Sequence, residues 1–268
     1  MLTGNGSKAA CTEYNGSKSL QFSIACAILF SNEPKKENTM SRYPYLLFVA
    51  DNTLYDFTAA EQIAFRRTCE KNGLPWSEEN YETYKQINAA LWADFDRGLY
   101  EKSFVVVERF RRLLTHLGVE GDADACMQVQ EDTLGECSML IEGAEELCRK
   151  LSETHELYLV TNAVAAVQKR RLAASSIKQY LNGAFISEDA GAAKPHTAYF
   201  DYVFSRIDGI TKDNCLVIGD SLTSDIKGAN NYGLPCVWYN PAGKPLPDGY
   251  HADYIIRDLN ELYAIIDG

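Results

Sequence analysis

Four short stretches of this 268-residue chain carry side chains suited to binding phosphate and a hard cation. Asp51-Asn52-Thr53 follows the apolar run Tyr45–Ala50, and Thr161-Asn162 follows Leu157–Val160. Lys194-Pro195 lies in the loop beyond Ala184–Ser187, and Gly219-Asp220-Ser221, with Asp225, follows Cys215–Ile218. Thr161 and Asn162 can donate hydrogen bonds to an anion, and Lys194 adds a positive charge. Asp220 and Asp225 offer hard oxygen ligands suited to magnesium, which takes one or two carboxylates plus substrate phosphate. Together the set describes a magnesium-assisted phosphate site, in which lysine and metal offset the charge on phosphoryl oxygens.

Each stretch alone also has an ordinary reading. Asp51-Asn52-Thr53 makes an acceptable turn and cap, Thr161-Asn162 a cap for the next helix, and Lys194-Pro195 a surface turn. Asp220 and Asp225 could be loop chemistry plus a helix-face carboxylate. Their shared location gives the combination its weight, since ligands of an open parallel sheet bind beyond the carboxyl ends of its strands.

The elements that must position these groups follow from the apolar pattern. Tyr45–Ala50 is a short continuous apolar run, as expected for a buried parallel strand. The period then changes to a helical one. Residues 58–72 read as a helix ending at Gly73, and Ser77 caps a second, with Tyr84, Ile87, Leu91 and Phe95 as its apolar stripe. A third helix over 101–117 carries Phe104, Val107, Phe110, Leu114 and Leu117 and stops at Gly118; a fourth spans 121–136. Phe95 and Phe104 are read as the core of this helical unit.

Alternation then returns. Helices are expected over 142–152, 164–181, 197–207, through Gly228 and Ala229, and from 258. Strands are expected at Leu157–Val160, Ala184–Ser187, Cys215–Ile218, Pro235–Tyr239 and Asp253–Ile256. The expected fold class is α/β, a parallel sheet covered on both faces with a helical unit inserted after its first strand. That assigns 40–56 and 140–268 to the core and 57–139 to the insertion.

Composition narrows the function. The chain is 46% hydrophobic and 24% charged, which excludes a disordered or low-complexity protein, and a net charge of −11 disfavours any nucleic-acid polymer. The 8 cysteines form no Cys-x-x-Cys pair and only 4 histidines are present, so a zinc site is not expected. Scattered cysteines in a chain of this size read as reduced, cytoplasmic thiols. Residues 1–39 differ from the rest, being polar around the apolar run Leu20–Phe30. That run is too short for the roughly 20 residues a membrane span needs. The segment reads as a disordered extension or as translation upstream of a start at Met40, and no membrane association is expected.

On these motifs the sequence resembles the haloacid dehalogenase superfamily of phosphohydrolases, from about Tyr43 to the C-terminus. Ala50-Asp-Asn-Thr-Leu54, Ile186-Ser-Glu-Asp-Ala-Gly-Ala-Ala-Lys-Pro195, Ile218-Gly-Asp-Ser-Leu-Thr-Ser-Asp225 and Asn88-Ala-Ala-Leu-Trp92 are most similar to its pyrimidine 5′-nucleotidase branch. The resemblance implies a Rossmann-like core with a helical cap, a magnesium cofactor and a nucleoside monophosphate as substrate. It implies two aspartates two residues apart: the first attacks phosphorus, and the second protonates the leaving oxygen and later activates water. The second is Asp51, whose backbone carbonyl is also implied as a metal ligand. Thr161 is implied to hold phosphoryl oxygens and Lys194 to orient the nucleophile. Asp220 is implied as a direct magnesium ligand, and Asp225 as a ligand or as support for one. Thr53, Asn162 and, from the cap, Trp92 are the expected substrate contacts.

The first aspartate is missing. Two residues before Asp51 stands Val49, which has no carboxylate and cannot form an acyl phosphate. Little or no turnover by the family route is therefore expected. Ala163 also stands where the family often has glycine. Three function classes follow: a nucleotidase-like phosphohydrolase, a non-catalytic phosphate or nucleotide binder, and a 2-haloacid dehalogenase. Retained Asp51 argues against the third, which also needs the absent carboxylate.

Overall fold

The computed structural model describes residues 41–266, so the reading of 1–39 lies outside the described residues. The first strand, β1 (Tyr45–Val49), alternates its side chains between two hydrophobic layers, as the pleat requires. Leu46 and Phe48 enter one layer, and Leu47 and Val49 the other. Burial on both faces explains why the run is apolar throughout.

Four helices follow: α1 (Phe57–Asn72), α2 (Glu78–Asp96), α3 (Lys102–Leu117) and α4 (Ala123–Glu136). Asp56, Ser77 and Asp122 cap α1, α2 and α4 by accepting from backbone N–H groups of the first turn. Gly73 and Gly118 end α1 and α3 at φ 66° and 64°, where a side chain would be strained. The inserted helices have a core of their own around Phe65, Tyr84 and Phe110, with the Phe65 and Tyr84 rings stacked at 4.5 Å. One expectation fails here. Phe104 is 36% exposed and packs on Tyr100 at the surface, because the buried seam of α3 runs through Val106, Phe110, Leu113 and Leu114. Phe95 is half-buried against Trp92.

The rest of the chain alternates. In order come α5 (Ala144–Leu151), β2 (Glu156–Thr161), α6 (Ala165–Ala174), β3 (Gly183–Ile186), α7 (Ser187–Ala190) and α8 (Thr197–Phe204). They are followed by β4 (Cys215–Gly219), α9 (Lys227–Tyr232), β5 (Cys236–Tyr239), β6 (Tyr254–Ile256) and α10 (Leu262–Ile266). The six strands form one sheet in the order β3-β2-β1-β4-β5-β6, all neighbours parallel. This is a Rossmann-like core, and its strand order reverses between β1 and β4, where a crevice forms beyond the strand ends. The helix expected over 164–181 is broken at Ser175, whose backbone is extended, and resumes as the tight turn Ser176–Tyr180. The six cysteines among the described residues are free thiols, five of them buried. No helix among the described residues is long and apolar enough to cross a membrane.

Candidate active site

The strand order brings the four sequence stretches to one edge. β1 lies between β2 and β4, with Val49 opposite Val160 and Phe48 opposite Ile218, so Asp51, Thr161 and Asp220 leave the sheet side by side. A cavity of about 230 Å³ opens there, lined on the sheet side by Val49, Asp51, Thr161, Lys194, Asp220 and Asp225.

Lys194 is the centre of this edge. It is 1% exposed, and its Nζ donates to Asp225 Oδ1 at 2.7 Å and to the Val160 carbonyl at 3.0 Å. Asn162 fixes its backbone reciprocally, accepting from Lys194 N at 3.0 Å and donating to Lys194 O at 2.8 Å. Asp225, also 1% exposed, uses its second oxygen to accept from Ser221 N at 3.0 Å. Thr161 Oγ1 accepts from Ala163 N at 3.0 Å, while its own O–H donates to no described residue.

Gly219 makes room for the pair. A Cβ there would stand 2.7 Å from both Asp225 Oδ2 and Val49 Cγ2. Gly219→Ala is expected to destabilise the fold by about 1–3 kcal/mol, through overpacking of a filled edge. Urea unfolding checks this, and a midpoint unchanged from the original would show that the edge has slack.

Asp51 is held from an unforeseen direction. Arg171, on α6 and 1% exposed, donates to Asp51 Oδ1 at 2.5 Å and to the Cys137 carbonyl at 3.1 Å, and lies over the Tyr55 ring. In sequence it looks like one of two solvated arginines. The available signal was its spacing from Val164, Val167 and Gln168, which places it on the buried face of α6. Arg170, by contrast, reaches the exposed Asp132.

The sequence-level substrate contacts divide. Thr161, Asn162 and Trp92 line the cavity. The Thr53 side chain does not: it is fully buried and donates to Asp220 Oδ1 at 3.4 Å, so its hydroxyl braces a carboxylate. The metal candidates divide too. The Asp51 and Asp225 side chains are already engaged by Arg171 and Lys194, whereas Asp220 has no cation partner among the described residues.

Among the described residues no cluster of three or more His, Cys, Asp or Glu side chains forms a ready cage for a metal. The donors nevertheless fit magnesium, which uses few protein carboxylates and completes its shell with water and phosphate. Burial first, and then the Asp225 and Asp51 carboxylates, push the Asp220 carboxyl up to about 8, with Lys194 opposing. Burial and the neighbouring carboxylates thus oppose a bare charge on Asp220, and a bound divalent cation would favour its ionised form.

Lys102 and Asp96 tie the inserted helices to the strand-end loops. Lys102 Nζ donates to Ala163 O, Ser187 Oγ and Glu188 Oε1 at 2.8–3.0 Å. Thr223 donates to Asp96 Oδ2 at 2.6 Å, and burial lifts the Asp96 carboxyl to about 6.

A family model described as haloacid dehalogenase-like hydrolase matches residues 47–233. The chain belongs to that family. It is 41% identical over 228 residues to the HAD-hydrolase YfnB of Bacillus subtilis, covering 85% of this chain and 97% of that protein. It is 38% identical over 200 residues to the pyrimidine 5′-nucleotidase PynA of Streptococcus pneumoniae, covering 74% of this chain and 84% of that one. A crystal structure of YfnB bound to magnesium, described as revealing interdomain movement, superposes with a TM-score of 0.82 at 40% identity over 85% of this chain and 100% of that one. The likeness extends over 85% of this chain, so the two proteins share one fold.

Proposed function

We propose that this chain binds nucleoside monophosphates together with magnesium at the strand-end site, and that Val49 leaves hydrolysis by the family route abolished or severely reduced. One observation carries the reading. The cavity wall at position 49 is hydrocarbon, while a buried lysine, a threonine O–H and an aspartate, the last two without an acceptor or a cation partner among the described residues, stand around the same space.

In this reading Lys194 and the Thr161 hydroxyl hold phosphoryl oxygens, and Asn162 keeps Lys194 in place. Asp220 and the Asp51 backbone carbonyl hold the magnesium, whose charge would offset that of the phosphoryl group. Asp225 supports both through its bond to Lys194. Asp51, clamped by Arg171, occupies the position of the family's acid–base residue but has no reaction to serve. Residues 57–139 act as a cap over the cavity. Magnesium support comes from the crystal structure of YfnB, and nucleotide support from PynA, named a pyrimidine 5′-nucleotidase. The dehalogenase reading gains nothing, since it depends on the same absent carboxylate.

Thermal unfolding tests the binding. Uridine monophosphate with magnesium, at about 100 times its Kd, is expected to add about 2.7 kcal/mol. For a domain of this size that is a rise of roughly 5–10 °C. The nucleotide should be recovered intact afterwards. Absence of any shift with nucleotide and magnesium together would overturn the reading.

A further inference from the structure

We propose that Arg109 determines which leaving group this site accepts: its guanidinium donates to a carbonyl oxygen of a neutral pyrimidine base, while Glu131 accepts from an N–H on the same edge. With the phosphate placed at Lys194, as proposed above, the base lies against the helical wall of the cavity, to which both residues contribute.

Arg109 lies on α3 and is 3% exposed, yet among the described residues it makes no ion pair. Its Nε donates to the Val106 carbonyl at 3.0 Å, and its Nη1 reaches Asn88 Oδ1 at 3.4 Å. The Asn88 amide is oriented in turn by Glu61, whose Oε1 accepts from Asn88 Nδ2 at 2.8 Å. Nη2 makes no hydrogen bond to a described residue. A buried guanidinium with spare donors is costly to maintain without a partner. Because it lines a cavity, a ligand oxygen is the natural partner.

The surrounding charge says what kind of oxygen. Glu61 and Glu131 both lie close enough to Arg109 for its charge to lower their pKa values, yet burial outweighs that pull and raises both, Glu61 to about 7. With two carboxyl groups already beside the guanidinium, a further anionic group, a second phosphate or a carboxylate, would meet their repulsion. A neutral carbonyl suits better. A donor from Arg109 next to an acceptor from Glu131 matches a ring edge carrying both C=O and N–H. The remaining walls there, Phe57, Trp92 and Leu134, are apolar and suit a flat ring. A cavity of about 230 Å³ is small among ligand pockets, which run to roughly 300–1,000 Å³, and favours a single ring over a fused one.

The chain as it stands allows a direct binding test by isothermal titration with magnesium present. The probes are uridine monophosphate, adenosine monophosphate, ribose 5-phosphate and inorganic phosphate. The nucleotide with the pyrimidine base is expected to bind about 10- to 100-fold more tightly than ribose 5-phosphate, the value of a charge-assisted hydrogen bond. Arg109→Met is expected to erase that advantage while leaving ribose 5-phosphate and inorganic phosphate within about twofold of the original. Arg109→Lys, which keeps the charge but loses the fork, and Glu131→Gln are each expected to reduce it in part. Unchanged affinity for uridine monophosphate in Arg109→Met overturns the assignment, as does ribose 5-phosphate or adenosine monophosphate binding as tightly as uridine monophosphate. In those cases phosphate binding still stands. Should Arg109→Met fail to melt cooperatively, unchanged affinity in both Arg109→Lys and Glu131→Gln overturns it equally. If the original chain binds none of the four probes, the phosphate site itself is refuted and the assignment falls with it.

Discussion

Val49→Asp is expected to convert the chain from a binder into a phosphatase, with turnover of uridine monophosphate rising by at least roughly four orders of magnitude. Loss of a central nucleophile in another hydrolase costs about six orders; a margin is left because this site has not been held to the geometry of an attacking carboxylate. The substitution nearly preserves volume, and position 49 is 6% exposed at the wall of the cavity. The rest of the apparatus stands around it: Lys194 beside Asp225, Thr161 with an O–H that donates to no described residue, and Asp51 beyond the end of the same strand. A fourth carboxylate would stand beside Asp220, whose ionisation burial and its neighbours already oppose, so a cation is needed to hold both charges. Magnesium should accordingly raise the melting temperature of the variant more than that of the original, and chelation should abolish its activity. Phosphate release under steady-state conditions, with Asp51→Asn added to the variant as a control, measures the effect. Ordinary turnover by the original chain, or no gain in the variant, would refute the assignment of position 49.

Lys194→Met is expected to cost about 3–5 kcal/mol of stability, the penalty for leaving one partner of a buried ion pair uncompensated. Both side chains of the Lys194–Asp225 pair are 1% exposed, so water cannot screen the carboxylate left behind. At roughly 2–4 °C per kcal/mol for a chain of this size, the melting temperature should fall by about 6–20 °C. The Val160 carbonyl loses a donor as well. Adding Asp225→Asn should recover part of the loss, because the unpaired charge is then gone; the double variant should be more stable than the sum of the single changes predicts. Denaturant unfolding of the three variants gives the cycle. A loss below about 1 kcal/mol for Lys194→Met would mean that the pair exchanges with solvent and does not organise the edge. Inorganic phosphate binding should be lost in the same variant.

Much of this was legible from the residues alone, for a physical reason. Strands buried on both faces must be apolar throughout, so Tyr45–Val49 and Cys215–Gly219 stand out against the amphipathic helices around them. Caps leave equally local marks, as at Ser77, Gly73 and Gly118. Once strands alternate with helices, the connections must be right-handed and the sheet parallel, and polar residues just past the strands share one edge. The shared edge of Asp51, Thr161, Lys194 and Asp220 is legible in this way, and Val49 stands out because its neighbours fit a pattern that it breaks.

What the tertiary structure decided is which polar side chains are spent on one another. Asp225 is committed to Lys194, Thr53 to Asp220, and Asp51 to Arg171, pairings 31, 167 and 120 residues apart in the chain. Nothing local in the sequence marks such partners. Charged side chains default to solvent, so Arg171 and Arg109 read as surface residues until packing removes the water around them. Phe104 erred in the opposite sense: a stripe constrains the buried face of a helix only to within about one residue, and the neighbouring helices choose the seam. Composition and periodicity thus determine the layers and the edge where chemistry occurs. Desolvation and pairing across long sequence separations arise only when the chain closes on itself, and they determine which of those residues remain free to meet a ligand.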